Sequence, residues 1–354
     1  MLGWLRGFVG GGRHGPVSEC ANDAGDGVPI DLSAFPEAAF ELTDGLPRPR
    51  WDRIQAAADA LAPRYETHRV WSEVQRQWIE ALADALGPAY RIVETRSILL
   101  LCARADDPAA AASIARMCER IHAGVQEILG EPDDVSGKLP VFVFDSPQTY
   151  YTYIYYYYGD GEYGTSAGIC INDGDVHIAT IDAPAHLERT LAHEMVHARF
   201  STTGARSAIR STGASGVTYP QRRLPLWLEE GAAEIISRQV ARIGPLLLDE
   251  VEIRRQRRWW GRKGLATFWS GESFQRGDRG QSLSYTLAEV LVQNLIATRR
   301  RENFRAFVDE AQAADAGGAA ARVHLGMGLQ EIAETFLGEG EWAPLPRHAS
   351  DERV

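Results

Sequence analysis

The feature that most limits the fold is a change of hydrophobic rhythm near residue 185. Ahead of it helical and strand-like stretches alternate, whereas beyond it every periodic segment is helical. Helical spacing covers 50–61 (Trp51, Ile54, Ala57, Ala58, Leu61), 68–86 (Val70, Val74, Trp78, Leu82, Leu86) and 108–130 (Ile114, Met117, Ile121, Val125). Strand patterns lie between them. YRIVETRSILLLCA (90–103) reads as one or two strands and LPVFVFD (139–145) as another. SAGICIND (166–173) and DVHIATID (175–182) read as a pair joined by a tight turn at Asp173-Gly174. The pattern predicts an α+β chain: a mixed, mainly antiparallel sheet, then a mostly helical C-terminal lobe.

Composition narrows the classes further. An apolar fraction of 45% over 354 residues is that of a globular chain with one large domain or two modest ones. The segments predicted are a Gly-, Asp- and Pro-rich lead-in over 1–45, a helical region over 46–89 and an α/β lobe over 90–200. A Ser/Thr/Gly-rich loop over 201–223, a helical lobe over 224–345 and a tail over 346–354 follow. A net charge of −11 argues against nucleic-acid binding by the whole surface, and no run of 18 apolar residues offers a transmembrane segment. The first residues, MLGWLRGFVGGGRHG, are split by Arg6 and lack a secretory core, so a cytoplasmic location is expected. The alternative for them is a short interfacial or partner-binding segment. Cys20, Cys102, Cys118 and Cys170 are scattered, without the spacing of a disulfide framework or a thiolate metal site.

The chemistry concentrates after Asp182-Ala183-Pro184, a capping residue and a proline that announce a helix. Within that helix stand His193-Glu194-Met195-Val196-His197. Four residues apart, the two imidazoles share one face and can hold one metal ion, while Glu194 lies beside that face within reach of a metal-bound water. Leu187, Leu191, Met195 and Ala198 form the opposite, core-directed stripe. A shuffled chain of this composition would contain roughly 0.02 such matches, so coincidence is a poor account. Tetrahedral catalytic zinc wants three protein ligands and an open position. A third histidine at HExxHxxGxxH spacing is absent, since Phe200 and Thr203 stand there. Cys170 sits in an apolar strand pattern. What remains is downstream, in Leu224-Pro225-Leu226-Trp227-Leu228-Glu229-Glu230-Gly231-Ala232-Ala233-Glu234, where Glu230 and Glu234 share a helical face and Glu229 points well away from it.

HExxH followed by Pro225-Leu226-Trp227-Leu228-Glu229-Glu230-Gly231-Ala232-Ala233-Glu234 resembles the gluzincin metallopeptidases, and within that clan the peptidase-MA-like bacterial group with P-x-W-L-x-E-G-x-A-E. The resemblance extends more weakly over about 90–345. It implies a thermolysin-like sheet carrying the HExxH helix, one zinc ion and a peptide or protein substrate. It makes His193, His197 and Glu230 the metal ligands and Glu194 the general base, with Glu234 orienting a ligand histidine. It also places the edge strand that aligns substrate within 166–182. Two departures stand out. The spacer from His197 to Glu230 is 32 residues, longer than in thermolysin-like patterns, and the G-A-M-E-N motif of aminopeptidases is missing.

Weaker candidates complete the reading. Val176 and Ile178, on a strand whose free edge is expected to accept an extended peptide, are substrate-binding candidates. Tyr285, or Tyr219 in the long loop, is placed to stabilise an oxyanion, against the plainer reading of aromatic packing. Eight of the twelve tyrosines fall within 150–163, read as rings packed at a surface, the alternative being a substrate-binding wall. RRQRRWWGRK (254–263) is a solvated basic helix end with two buried indoles, or else a site for an acidic partner, a membrane or nucleic acid. The rival to an enzyme is a non-catalytic binding or scaffold protein keeping the peptidase fold. Oligomeric state is not legible.

Overall fold

The computed structural model describes residues 39–61, 67–131, 137–158, 166–202 and 224–344. They form two compact units. The first holds the described residues up to Gly124 and from Glu131 to 202; the second holds Val125–Gly130 and 224–344.

The first unit opens with a hairpin, β1 (Phe40–Thr43) and β2 (Leu46–Pro49), paired Thr43 to Leu46. Asp44 and Gly45 between them have φ of 51° and 78°, the left-handed pair that a two-residue hairpin turn demands. This hairpin crosses the boundary at 45 where a lead-in was expected to give way to helices. Helices α1 (Trp51–Leu61) and α2 (Thr67–Leu86) follow, then β3 (Arg91–Glu94), β4 (Ile98–Cys102), α3 (Pro108–Leu129) and β5 (Leu139–Phe144). After α4 (Pro147–Tyr155) come β6 (Gly168–Asp173), β7 (Asp175–Ile181) and α5 (Leu187–Thr202).

The five strands β3 to β7 make one mixed sheet in the order β3-β4-β5-β7-β6. The expectation of a mainly antiparallel sheet needs correction, because the two inner pairings, β4–β5 and β5–β7, are parallel and only the two outer ones antiparallel. The reason is connection length. A 22-residue helix, α3, carries the chain from β4 back to the start of β5, whereas Gly174 alone joins β6 to β7. Gly174 has φ of +76°, and a Cβ there would fall inside the Trp51 indole, so no other residue fits. Between antiparallel β3 and parallel β5, β4 is buried along its whole length and is apolar throughout.

Aromatic packing holds this unit together. Trp78 meets Phe142 and His177 edge-on at 5.2 and 4.9 Å. His177 is itself buried: Tyr153 Oη lies 2.9 Å from its Nε2, and its Nδ1 lies 2.8 Å from the Asp175 carbonyl. Tyr150 and Tyr153 are fully buried, so part of the tyrosine cluster is core, not surface packing; Tyr155 and Tyr156 are exposed. Arg48 of β2 is also fully buried, donating from Nη1 and Nη2 to the Tyr153 and Thr152 carbonyls (3.0 and 3.1 Å) in the last turn of α4. Tyr153, Tyr156 and Tyr157 surround its guanidinium at 4.7, 4.7 and 5.6 Å.

The second unit is helical: α6 (Leu226–Val240), α7 (Glu250–Lys263), α8 (Ala266–Trp269), α9 (Arg279–Thr298), α10 (Arg301–Glu310), α11 (Gly318–Ala320) and α12 (Leu329–Leu337), with a π-helical turn at Ala321–Leu325. Arg305 Nε donates to the Ile128 carbonyl (2.9 Å) and Arg301 to that of Glu127 (3.2 Å), satisfying the end of α3. No helix of the described residues is long and apolar enough to cross a membrane.

Candidate metal centre

Helix α5 begins one turn later than its sequence signals imply. Pro184 lies in the turn before it, where His186 and Leu187 both donate to the Ala183 carbonyl at 2.8 Å. From there the apolar stripe settles on the sheet: Leu187, Leu191, Met195 and Ala198 are buried and the helix packs on β6 and β7. That leaves His193 and His197 half-buried on the other side, their Nε2 atoms 3.1 Å apart and their rings inclined at 63°. Two nitrogens bound to one tetrahedral zinc at ~2.0–2.1 Å stand about 3.3 Å apart, close to the spacing seen. An N–H···N hydrogen bond also spans that distance.

Glu230 is the third member of the group. His193, His197 and Glu230 each offer one ligand atom, and these atoms lie within 4.8 Å of one another. Among the described residues this is the one cluster of three or more His, Cys, Asp or Glu side chains that can hold a metal ion, and neither Glu229 nor Glu234 belongs to it. The set of two imidazole nitrogens and a carboxylate oxygen is that of a three-ligand zinc site with room for water. Such a cation would also offset the cost of burying the Glu230 carboxylate, which is only 8% exposed. The residues present therefore fit the metal.

Helix α6, which carries Glu230, is fixed within the helical unit. Pro225 is its N-cap. Trp227 is fully buried, donates to the Ala316 carbonyl (3.0 Å) and packs edge-on against Trp269 at 5.4 Å. Gly231 faces α9 so closely that a Cβ would come within 2.5 Å of the Ala288 carbonyl oxygen. Near the far end Arg238 pairs with buried Glu289 of α9. Glu234 is half-buried one turn beyond Glu230, on the same face.

Glu194 is 9% exposed. It lies over the start of β6, where a Cβ added to Gly168 would collide with Thr190 and reach Glu194 Cγ at 3.4 Å. Tyr150 is a neighbour that sequence reasoning missed. Its hydroxyl donates to Ser166 Oγ at 3.3 Å, and burial, reinforced by the charge of Glu194, holds it in the neutral phenol form. The only sequence signal was its place in the tyrosine cluster, which does not single it out.

The remaining candidates fall elsewhere. Val176 and Ile178 are buried in β7, which is hydrogen-bonded on both sides, to β5 and to β6. The strand has no free edge, so its proposed role in binding substrate is corrected; the outer strand is β6. Tyr285, on α9, is half-buried with its ring edge-on to Phe274 at 5.3 Å. Of the two indoles at 259–260, Trp260 is buried and Trp259 only partly so. Tyr219 and the loop at 203–223 lie outside the described residues.

Compared with known proteins, the chain matches no family model and no curated protein.

Proposed function

We propose that this protein is a zinc-dependent metallopeptidase of the gluzincin type, with a thermolysin-like arrangement of sheet and HExxH helix. The observation that carries the reading is the convergence of His193, His197 and Glu230, with Glu194 following His193 on the helix. Those three side chains would hold a zinc ion, which would supply Lewis acidity toward a scissile carbonyl and toward the attacking water. Glu194 accepts the proton of the attacking water and returns it to the leaving amine; its low exposure keeps bulk water from competing. Glu234 accepts a hydrogen bond from the outer nitrogen of a ligand histidine and so holds the tautomer. Tyr285 is the candidate to donate to the developing oxyanion. An extended peptide or protein segment adds to the outer edge of β6, the strand against which Glu194 rests.

The test pairs metal analysis of the purified chain with hydrolysis of an unbiased peptide library, wild type beside Glu194→Gln. One equivalent of zinc in both, with cleavage only in the wild type, is the expected result. A metal-free protein that cleaves nothing would favour a scaffold that keeps the fold.

A further inference from the structure

Six of the ten residues at 254–263 are basic, in a chain whose net charge is −11. Helix α7 sorts this stretch by face. Gln256 and Trp260 are buried four positions apart; Trp260 Nε1 donates to Gln256 Oε1 (2.8 Å), and Gln256 Nε2 donates to the Leu283 carbonyl (3.3 Å). That stripe is the inward one. At ~100° per residue the opposite arc carries Val251, Arg254, Arg255 and Arg258, and all four are exposed.

The segment leading into this helix adds an apolar tip. Ile243, Leu247 and Val251 are 51%, 85% and 58% exposed. Seven large hydrophobic side chains are exposed among the described residues, and these three fall within nine positions, so they are clustered and not scattered. Arg242, beside Ile243, is exposed as well. The acidic residues nearby have local partners: Asp249 Oδ1 accepts from the Glu252 amide (2.8 Å) at the helix start, Glu250 pairs with Arg254 (3.1 Å) and Glu252 with Arg255 (2.6 Å). Over 249–263 three acidic residues face six basic ones, a net of +3.

We propose that the α6–α7 connection and the outward face of α7 dock the protein on an anionic lipid surface. Aliphatic side chains beside a basic helical face suit the boundary between headgroups and acyl chains. Leu247 and its neighbours enter the apolar layer while the arginines stay level with the lipid phosphates. Nucleic acid fits less well, since its phosphates would engage the arginines and leave Ile243 and Leu247 in water. The acidic remainder of the chain does not cancel the attraction, because screening confines it to within about 10 Å of the surface.

The test is co-sedimentation of the full chain with phosphatidylcholine vesicles, with and without phosphatidylserine, at low and high salt. Binding is expected only to the phosphatidylserine-containing vesicles and is expected to weaken as salt rises. Arg254→Gln/Arg255→Gln/Arg258→Gln should lower partitioning on the order of 100-fold. Ile243→Ser/Leu247→Ser should abolish stable attachment. All five positions are exposed, so far-UV spectra of both variants should match the wild type. Absence of binding to the anionic vesicles overturns the proposal, as does undiminished binding by either variant. Retention of a DNA oligonucleotide through the same arginines, with vesicles left unbound, would assign the surface to nucleic acid instead.

Discussion

Helices α5 and α6 both carry candidate metal-binding side chains, yet they are held in different ways. Helix α5 rests on β6 and β7 through a long apolar stripe, so its position is spread over many modest contacts. Helix α6 buries an apolar face of its own (Leu228, Ala232, Ala233, Ile235 and Ile236) and is pinned besides at three points: the Trp227 indole, the close approach of Gly231 to α9, and the Arg238–Glu289 pair. The sheet locates its helix by area, whereas the helical unit adds a few specific fittings to a comparable buried face. Single substitutions should therefore be felt differently in the two helices.

The largest expected effect is chemical. Glu194→Gln on α5 should lower peptide hydrolysis by about 100- to 10,000-fold and leave the metal bound, read by turnover together with metal content. Wild-type turnover in that variant would remove Glu194 from its role as base. On α6 the effects should be graded. Glu230→Ala should lose zinc, Glu234→Ala should weaken it ~10–100-fold, and Glu229→Ala should change little, as measured by competition with a chelator. Full zinc occupancy in Glu230→Ala combined with loss in Glu229→Ala would reassign the ligand.

Stability separates the helices next. In Gly231→Ala the new methyl meets the Ala288 carbonyl, which cannot rotate away, and overpacking of this kind costs about 1–3 kcal/mol. The gain in helix propensity, about 1 kcal/mol, offsets only part of that. In Gly168→Ala the obstacle is the methyl of a Thr190 side chain, which can turn aside. Thermal unfolding should therefore show the larger loss for Gly231→Ala. The reverse order would break the contrast between area and fittings.

A last effect depends on pH and belongs to the first unit alone. Burial lowers the pKa of His177 from 6.5 to about 3, so the folded state keeps it neutral. Above pH 6.5 neither state is charged there and the full stability is present. As pH falls from 6.5 toward 3 the unfolded chain takes up the proton first, and stability drops by at most about 1.4 kcal/mol per pH unit. Denaturant midpoints of the wild type should fall more steeply over that window than those of His177→Phe. Parallel curves would show that His177 does not contribute.

Much of this was readable because it is local. The spacing that makes α2, α3 and α5 amphipathic is a property of consecutive residues, and so is the four-residue interval between His193 and His197. What escaped reading depends on partners far along the chain. Leu46-Pro47-Arg48-Pro49, with two prolines and a charge, does not look like a buried strand; it becomes one because carbonyls and tyrosine rings about a hundred residues away accept the guanidinium. The Asp44-Gly45 turn was the available clue. The interior place of β7 escaped for a similar reason. An apolar strand reads the same whether its second neighbour is solvent or β5, and strand order is not encoded in any one segment.

The caged Arg48 also has a meaning in time. Its hydrogen bonds to Thr152 and Tyr153 span 104 and 105 residues, so they can form only after α4 is in place. The β1–β2 hairpin is thus expected to close late and to lie outside the folding nucleus. Loosening it, as in Arg48→Met, should hasten unfolding far more than it delays folding. In kinetic terms the hairpin would then be a latch: it would set how long the unit stays folded, with little say in how quickly it gets there.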